Sequence, residues 1–344
     1  MASDKVAVAI LDDYQHVALL MADWSPIQDR IAIDVFDDTI SDVEALAKRL
    51  QPYTIICAMR ERTKFTAELL DKLPKLKLIA TTGMVNRGID VQYASTKGIV
   101  VSGTSSRGDS TLEHIWALLL ATVRHVALEH ANFKSAVPQW QSYIPLGLSG
   151  RTLGLVGVGR LGTATAKVSN RICCNDASLT HLIQIAKAFN LHVLGWSPNL
   201  TRARAEAAGV EFVESKKELL SRSDIVSIHM VLSDRTVGLI NAEDFTEMKP
   251  TAFFINTSRG PIVDENALIQ ALRDRKIAGA GLDVFDIEPL PLDHPFRSLP
   301  NATITPHTGY VSDDNYRVSG GFSGCPMPVS FVLTSLEGIL GKHG

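Results

Sequence analysis

The chain has 344 residues, 45% hydrophobic and 21% charged, with 24 Gly and 15 Pro; this is the composition of about two globular domains, and it excludes disorder, collagen and coiled coil. A formal charge of −3 gives no polyanion footprint, so nucleic acid is not the expected partner. The longest strongly apolar run, Ile115–Val123, falls far short of the ~20 residues that cross a bilayer, and four cysteines are too few for a disulfide scaffold, which points to a reducing, cytoplasmic setting without a membrane.

Val6–Leu11 reads as a first strand and not as a secretory signal, because Asp12 and Asp13 follow it at once. Further apolar, β-branched runs predict strands at Ile31–Phe36, Thr54–Cys57, Leu78–Thr81 and Ile99–Ser102. Between Ser110 and Lys134, Leu112, Ile115, Trp116, Leu119, Leu120 and Val123 recur at helical spacing. That predicts one long amphipathic helix, either packed in a core or joining two domains, followed by a loop over Pro138–Gly150. A second strand series follows at Leu153–Gly157, Leu191–Trp196, Ile225–His229, Phe253–Asn256, Gly279–Val284 and Thr303–Thr305. Strands separated by helical stretches imply parallel sheets with right-handed crossovers. The expected fold is therefore α/β, with two doubly wound, Rossmann-like parallel-sheet domains and a cleft between them.

The first strand of the second series runs into Gly157-Val-Gly159-Arg160-Leu161-Gly162 and then a small-residue helix start at Thr163–Lys167. Gly157 permits the tight turn, Gly159 lets backbone approach a pyrophosphate, and Gly162 allows close helix–strand packing; the helix N-terminus would face the phosphates. The fingerprint also asks for a ribose-facing residue about 20 positions further on. The matching strand end, Ser197, lies 35 positions after Gly162.

These motifs, taken with five others, resemble the D-isomer-specific 2-hydroxyacid dehydrogenases, the group containing D-3-phosphoglycerate dehydrogenase and glyoxylate/hydroxypyruvate reductases. The others are Thr81-Thr82-Gly83-Met84, Ser223–His229, Asn256-Thr257-Ser258-Arg259-Gly260, Gly281–Pro289 and Thr305-Pro-His307-Thr-Gly309. The resemblance implies oxidation at the CH–OH group of a small D-2-hydroxy acid, or reduction of the 2-keto acid, by a nicotinamide cofactor. It assigns catalysis to Arg259, Glu288 and His307. It assigns cofactor binding to Gly157, Gly159, Arg160, Leu161, Gly162, Ser197, His229, Thr257 and Asp283. Substrate binding falls to Thr82, Gly83, Met84 and Arg259. Chemistry agrees: a guanidinium clamps a carboxylate bidentately, an imidazole near neutral pKa exchanges the hydroxyl proton, and a neighbouring carboxylate orients it and favours its charged form.

The resemblance further implies a homodimer, a discontinuous flavodoxin-like substrate domain (1–104 with 307–344) and an NAD(P)-binding Rossmann domain (105–306). The cofactor is NAD or NADP. Ser197 stands where NAD-specific members carry Asp, and Arg202 and Arg204 lie just beyond, which leans toward NADP because a carboxylate no longer repels a 2′-phosphate. No metal is expected, since His114, His125, His130, His181 and His229 show no HExxH-like pairing; no G-x-S-x-G hydrolase elbow occurs either. A scaffold that senses the nicotinamide state, built on the same fold, is the other functional class open at this point. No long C-terminal extension of the kind that carries regulatory domains in some phosphoglycerate dehydrogenases is expected.

Two stretches fit poorly. Removing Val168–Gln184 joins Lys167 to Ile185 in one amphipathic helix and brings Ser197 to 18 positions after Gly162, close to the spacing the fingerprint needs. The stretch carries adjacent Cys173 and Cys174 and reads as lacking helical periodicity. Val168-Ser169 can be encoded by an intron's opening signal and Gln184 by its closing one, so a retained intron is the expectation, and an inactive mis-spliced product is one consequence it allows; a genuine loop insertion, which surfaces tolerate well, is the alternative. After Arg317, Val318-Ser319 and a Gly- and Pro-rich run cannot continue a helix.

Overall fold

Short β-branched runs form strands and the amphipathic stretches between them form helices, in the alternation read above. The computed structural model describes residues 5–21, 23–83, 86–104, 109–158 and 176–317. Met84, the Gly159–Gly162 part of the glycine turn, the Thr163–Lys167 helix start and the tail after Arg317 lie outside the described residues.

The chain divides into two compact units, with boundaries at 107/108 and 310/311. The first unit holds β1 (Val6–Ile10), β2 (Ile31–Val35), β3 (Ile55–Ala58), β4 (Leu78–Thr81) and β5 (Val100–Gly103). They form a parallel sheet in the order β2-β1-β3-β4-β5. The second unit holds β6 (Thr152–Val156), β7 (His192–Trp196), β8 (Glu211–Phe212), β9 (Ile225–Ile228), β10 (Phe253–Asn256), β11 (Gly279–Leu282) and β12 (Ala302–Ile304). Its order, β12-β11-β10-β9-β6-β7-β8, is also wholly parallel. Every residue of β3, β4, β9, β10 and β11 is buried, because a parallel sheet is covered by helices on both faces. Each order reverses beside its first strand, the position at which open α/β sheets bind ligands beyond their carboxyl ends.

Four details depart from the sequence expectation. The long helix is two helices, Asp109–Val123 and Val126–Lys134. The break has a cause: the Val123 carbonyl accepts from the Leu146 amide at 3.1 Å instead of continuing the ladder, and His125 turns to φ +54°. Strand β8 was not expected, being two residues long with Glu211 exposed. The second unit boundary falls after Tyr310 and not at 306, because the turn through Thr308 and Gly309 is bonded to Asp283.

Finally, the poorly fitting stretch is helical in its second half. Helix Asp176–Ala188 buries Leu179, Leu182, Ile183 and Ala186 in one cluster with Leu119, Leu155 and Val193. That is the i, i+3, i+4, i+7 stripe of an amphipathic helix, and it corrects the reading of 168–184 as free of periodicity.

Candidate active site

In the second unit, each expected site residue that is described follows the carboxyl end of a strand, with Glu288 on the same loop after β11 as Asp283. Gly157 follows β6, Ser197 follows β7, His229 follows β9, Thr257 and Arg259 follow β10, Asp283 follows β11, and His307 lies just past β12. Parallel register therefore gathers along one sheet edge what the sequence spreads over about 150 positions.

Local chemistry fixes each loop. After β10, the buried Asn256 accepts from the Ser258 amide at 3.0 Å and donates to the Arg259 carbonyl at 3.1 Å, an Asx turn that bends the chain at once. The Ser258 hydroxyl donates to the Ile228 carbonyl at 2.7 Å, tying this loop to the end of β9. Gly260 lies so close to the Phe285 carbonyl that a Cβ there would overlap it. This contact presses the Arg259 loop against the loop that carries Glu288. The Arg259 guanidinium, half-buried, donates from Nη1 to the Ser258 carbonyl at 2.7 Å.

Glu288 and His307 meet: Nδ1 of His307 lies 2.6 Å from Oε2 of Glu288. The other carboxylate oxygen of Glu288 accepts from the Phe285 amide at 2.9 Å, so the carboxylate is held from both sides. A carboxylate on Nδ1 fixes the proton there and leaves Nε2 for proton exchange. The ring also packs edge-on against Tyr310, with centroids 5.7 Å apart.

Asp283 is 1% exposed, and both its oxygens accept hydrogen bonds. Oδ1 accepts from the Thr305 hydroxyl at 2.6 Å and the Thr308 amide at 2.9 Å, and Oδ2 from the Gly309 amide at 2.9 Å. His114 Nε2 stands 3.1 Å from Oδ1. Burial by itself would raise this carboxyl, but the bonds from His114, Thr305 and Thr308 outweigh burial and hold its pKa below the usual carboxylate range.

The cofactor end can be tested for fit. Gly157 has φ +105°, and a Cβ there would stand 2.6 Å from the His229 carbonyl oxygen, so only glycine supplies this turn at this approach. His229 donates its amide to the Val156 carbonyl at 2.8 Å. Its Nε2 is buried without a hydrogen-bond partner, and burial pushes the imidazole pKa down to about 4. A neutral, unpaired imidazole nitrogen beside a glycine cradle suits a polar ligand group, so these residues fit a dinucleotide. Ser197 is partly exposed, and its carbonyl accepts from the Leu200 amide at 3.0 Å. Arg202 pairs with Glu214 at 3.6 Å and covers the Phe212 ring.

In the first unit, Thr82 accepts from the Arg60 amide at 3.0 Å through its hydroxyl, and Gly83, at φ +89°, donates its amide to the Thr104 hydroxyl at 3.1 Å. The Arg60 side chain occupies the space a Gly83 Cβ would take. Among the described residues no cluster of His, Cys, Asp or Glu could hold a metal ion, and no helix is long and apolar enough to cross a membrane.

Sequence reasoning passed over His114, Thr305 and Thr308. His114 had left a signal: it is a polar residue on the same helix face as Leu118 and Thr122, amid the apolar stripe of helix Asp109–Val123.

With this geometry in place, comparison with known proteins decides the family. The model of the D-isomer specific 2-hydroxyacid dehydrogenase catalytic domain matches residues 8–221, and that of the family's NAD binding domain matches 180–309. The chain belongs to the D-isomer specific 2-hydroxyacid dehydrogenase family. A dehydrogenase of this family, the glyoxylate reductase of Thermofilum pendens, is 35% identical over 290 residues, covering 83% of this chain and 76% of that one. The D-3-phosphoglycerate dehydrogenase of Methanocaldococcus jannaschii is 32% identical over 278 residues, covering 80% of this chain and 49% of that one. The chain thus spans about half the length of the phosphoglycerate dehydrogenases it matches. Phosphoglycerate oxidoreductase from Vibrio cholerae O395 superposes with a TM-score of 0.83 at 31% identity, over 97% of this chain and 99% of that one.

Proposed function

We propose that this family member is an NAD(P)-dependent dehydrogenase of a small D-2-hydroxy acid, running equally as a 2-keto acid reductase. The observation that carries the reading is the His307–Glu288 pair at 2.6 Å, on a loop against which Gly260 presses the loop of Arg259. In the reductive direction His307 Nε2 delivers a proton to the keto oxygen while Glu288, on Nδ1, stabilises the charged imidazole. In the oxidative direction Nε2 takes the hydroxyl proton back. Arg259 holds the substrate carboxylate through paired N–H groups, fixing C2 in one orientation. Thr82, Gly83 and Met84 add backbone groups to substrate binding.

The nicotinamide cofactor, when bound, supplies the hydride acceptor or donor. The Gly157–Gly162 turn, Ser197, His229, Thr257 and Asp283 would hold it, with the second unit, residues 108–310, as the cofactor domain and the first unit as the substrate domain. We place Ser197 on the adenosine ribose, where the missing carboxylate favours NADP; Arg202, engaged with Glu214, would have to leave that partner to meet a 2′-phosphate. The proposed assembly is a homodimer, supported by the exposed apolar side chains Val126, Phe133, Trp140 and Ile144. The proposed setting is a reducing cytoplasm, in which the buried Cys57 thiol stays unbridged.

Steady-state reduction of glyoxylate, hydroxypyruvate and phosphohydroxypyruvate with NADH and NADPH tests the reading. Turnover of at least one is expected, and His307→Asn should lower kcat by about 10²–10⁴-fold, the usual contribution of a general acid–base group. Cofactor binding with no turnover of any of the three would favour the sensing scaffold instead.

One observation supports a second reading, that the chain as written is a mis-spliced, inactive product. The match to the family's NAD binding domain starts only at residue 180, beyond the glycine turn. A variant lacking 168–184 should then bind nicotinamide dinucleotide about tenfold tighter or more, a gain of roughly 1.4 kcal/mol. Equal affinity of the two chains would remove this reading, as would a dominant transcript that retains those codons.

A further inference from the structure

His307 stands at φ +53°, in the left-handed region that non-glycine residues adopt at a cost. Such a pose persists only where the surroundings over-determine it. Here the fixing groups can be named. The His307 amide donates to the Thr305 carbonyl at 3.0 Å, and the next two amides, Thr308 and Gly309, both turn back onto the Asp283 carboxylate at 2.9 Å. One buried anion therefore closes the turn on which His307 sits.

That anion is itself held from a separate element. Helix Asp109–Val123 lies so close to β11 that a Cβ on Gly281 would stand 2.5 Å from the Thr122 hydroxyl. About one turn of helix before Leu118, His114 thereby reaches both the Thr305 hydroxyl and Asp283 Oδ1, each at 3.1 Å. An ionised carboxylate only accepts, so Nε2 of His114 carries a proton and donates. Thr305 gives its own proton to the same Oδ1, which leaves its oxygen free to accept from Nε2. Ser110, one turn earlier on the helix, adds a bond from its hydroxyl to the Gly309 carbonyl at 3.4 Å.

We propose that His114 is a positioning residue: through Thr305 and Asp283 it holds the 305–309 turn in the left-handed pose that presents His307 to Glu288. The catalytic half of this inference rests on the acid–base role given to His307 above; the structural half stands without it. His114 acts through the turn and needs no contact with substrate or cofactor.

Two variants separate positioning from packing. His114→Phe keeps a ring of similar bulk and removes the donor; His114→Gln keeps an N–H donor at a matching reach. Hydrogen exchange of the 305–310 segment, followed by mass spectrometry on the full chain, should be about tenfold faster or more in His114→Phe and near the native rate in His114→Gln. Kinetics should follow: kcat lower by roughly 10–100-fold in His114→Phe, with KM for the keto acid within about twofold, and most of kcat regained in His114→Gln. Native exchange and kcat in His114→Phe would overturn the proposal. So would equal damage in both variants, which would assign the loss to helix packing. If the native chain turned over none of the three acids while the exchange difference between variants remained, positioning of the turn would stand and the dehydrogenase reading would fall.

Discussion

Each unit buries an aspartate just past the carboxyl end of a strand, and burial acts on the two alike while their donors do not. Asp12 follows β1 and Asp283 follows β11, at 0% and 1% exposure. Burial raises the Asp12 carboxyl; hydroxyls from Thr39 and Thr63 and the charge of Arg62 pull the other way, and burial prevails. Asp283 receives two backbone amides, two hydroxyls and an imidazole N–H, and its carboxyl ends below the usual range. The difference lies in the donors. Both sites have hydroxyl donors, but Asp283 adds the His114 imidazole, the largest lowering influence on its carboxyl, and backbone amides, which can only donate. The first unit thus buries a carboxyl whose pKa is raised, and the second buries one whose pKa is lowered, near the His307–Glu288 pair.

A third buried group carries the largest pH effect expected from this principle. His229 Nε2 is buried with no donor or acceptor beside it, and burial holds its pKa to about 4 against an ordinary 6.5. Between those values the unfolded chain binds a proton and the folded chain does not. Stability from this group is complete above pH 6.5 and falls as pH drops toward 4, by on the order of 3 kcal/mol. Calorimetry of native and His229→Leu chains from pH 7.5 to 4.5 should show the variant losing less Tm on acidification. Parallel Tm curves would break the rule that the partners, and not depth alone, decide.

The second effect is at Asp283. In Asp283→Asn one oxygen becomes an NH₂ group that faces amide donors, so at least one buried N–H loses its acceptor. The expected cost is about 1–3 kcal/mol. It should appear as a lower Tm for the second unit and faster exchange at Thr308 and Gly309. The sign with pH follows from the lowered pKa: the anion's contribution is present above the unfolded value near 3.8 and is lost as pH falls through the folded one. Denaturation midpoints of the variant should therefore change less than those of the native chain between pH 5 and 3. A native-like midpoint at pH 7 would show that the amides find other acceptors and that the clamp is dispensable.

Much of this was legible in the sequence, for identifiable reasons. Strands such as Phe253–Asn256 and Leu78–Thr81 coincide with their runs because a parallel strand is apolar on both faces and bounded by turn residues. Arg259, Glu288 and His307 could be named from motifs because each follows a strand end, and register does the assembling. The break at His125 was not legible, because its cause is a bond from Leu146, more than twenty positions away. The helix in 176–184 was not legible for another reason: its apolar stripe begins only at Leu179 and continues past 184 to Ala186, so the stretch 168–184 holds less than two turns of it. His114 and Thr305 escaped because a tertiary hydrogen bond leaves no period. Only the contact between helix Asp109–Val123 and Gly281 brings them to Asp283.

The smallest effect belongs to Asp12, and it is the sharpest test of the comparison because its sign is reversed. Asp12→Asn keeps one oxygen to accept from one hydroxyl, and its NH₂ group can donate to the other, since both Thr39 and Thr63 can rotate. No buried donor is orphaned, so at pH 7 the change should lie within about 0.5 kcal/mol of the native chain. The raised carboxyl of the native chain means that its neutral form is the one the fold prefers. Its contribution is full below the unfolded value near 3.8 and is lost as pH rises through the folded one. Relative to Asp12→Asn, the native chain should therefore gain stability on acidification, opposite to its behaviour relative to Asp283→Asn. Urea titrations of all three chains at pH 7 and pH 3 read both signs. If Asp12→Asn destabilised as much as Asp283→Asn, two hydroxyls would be holding an anion as firmly as the imidazole, hydroxyls and amides around Asp283 do, and the distinction between the units would collapse.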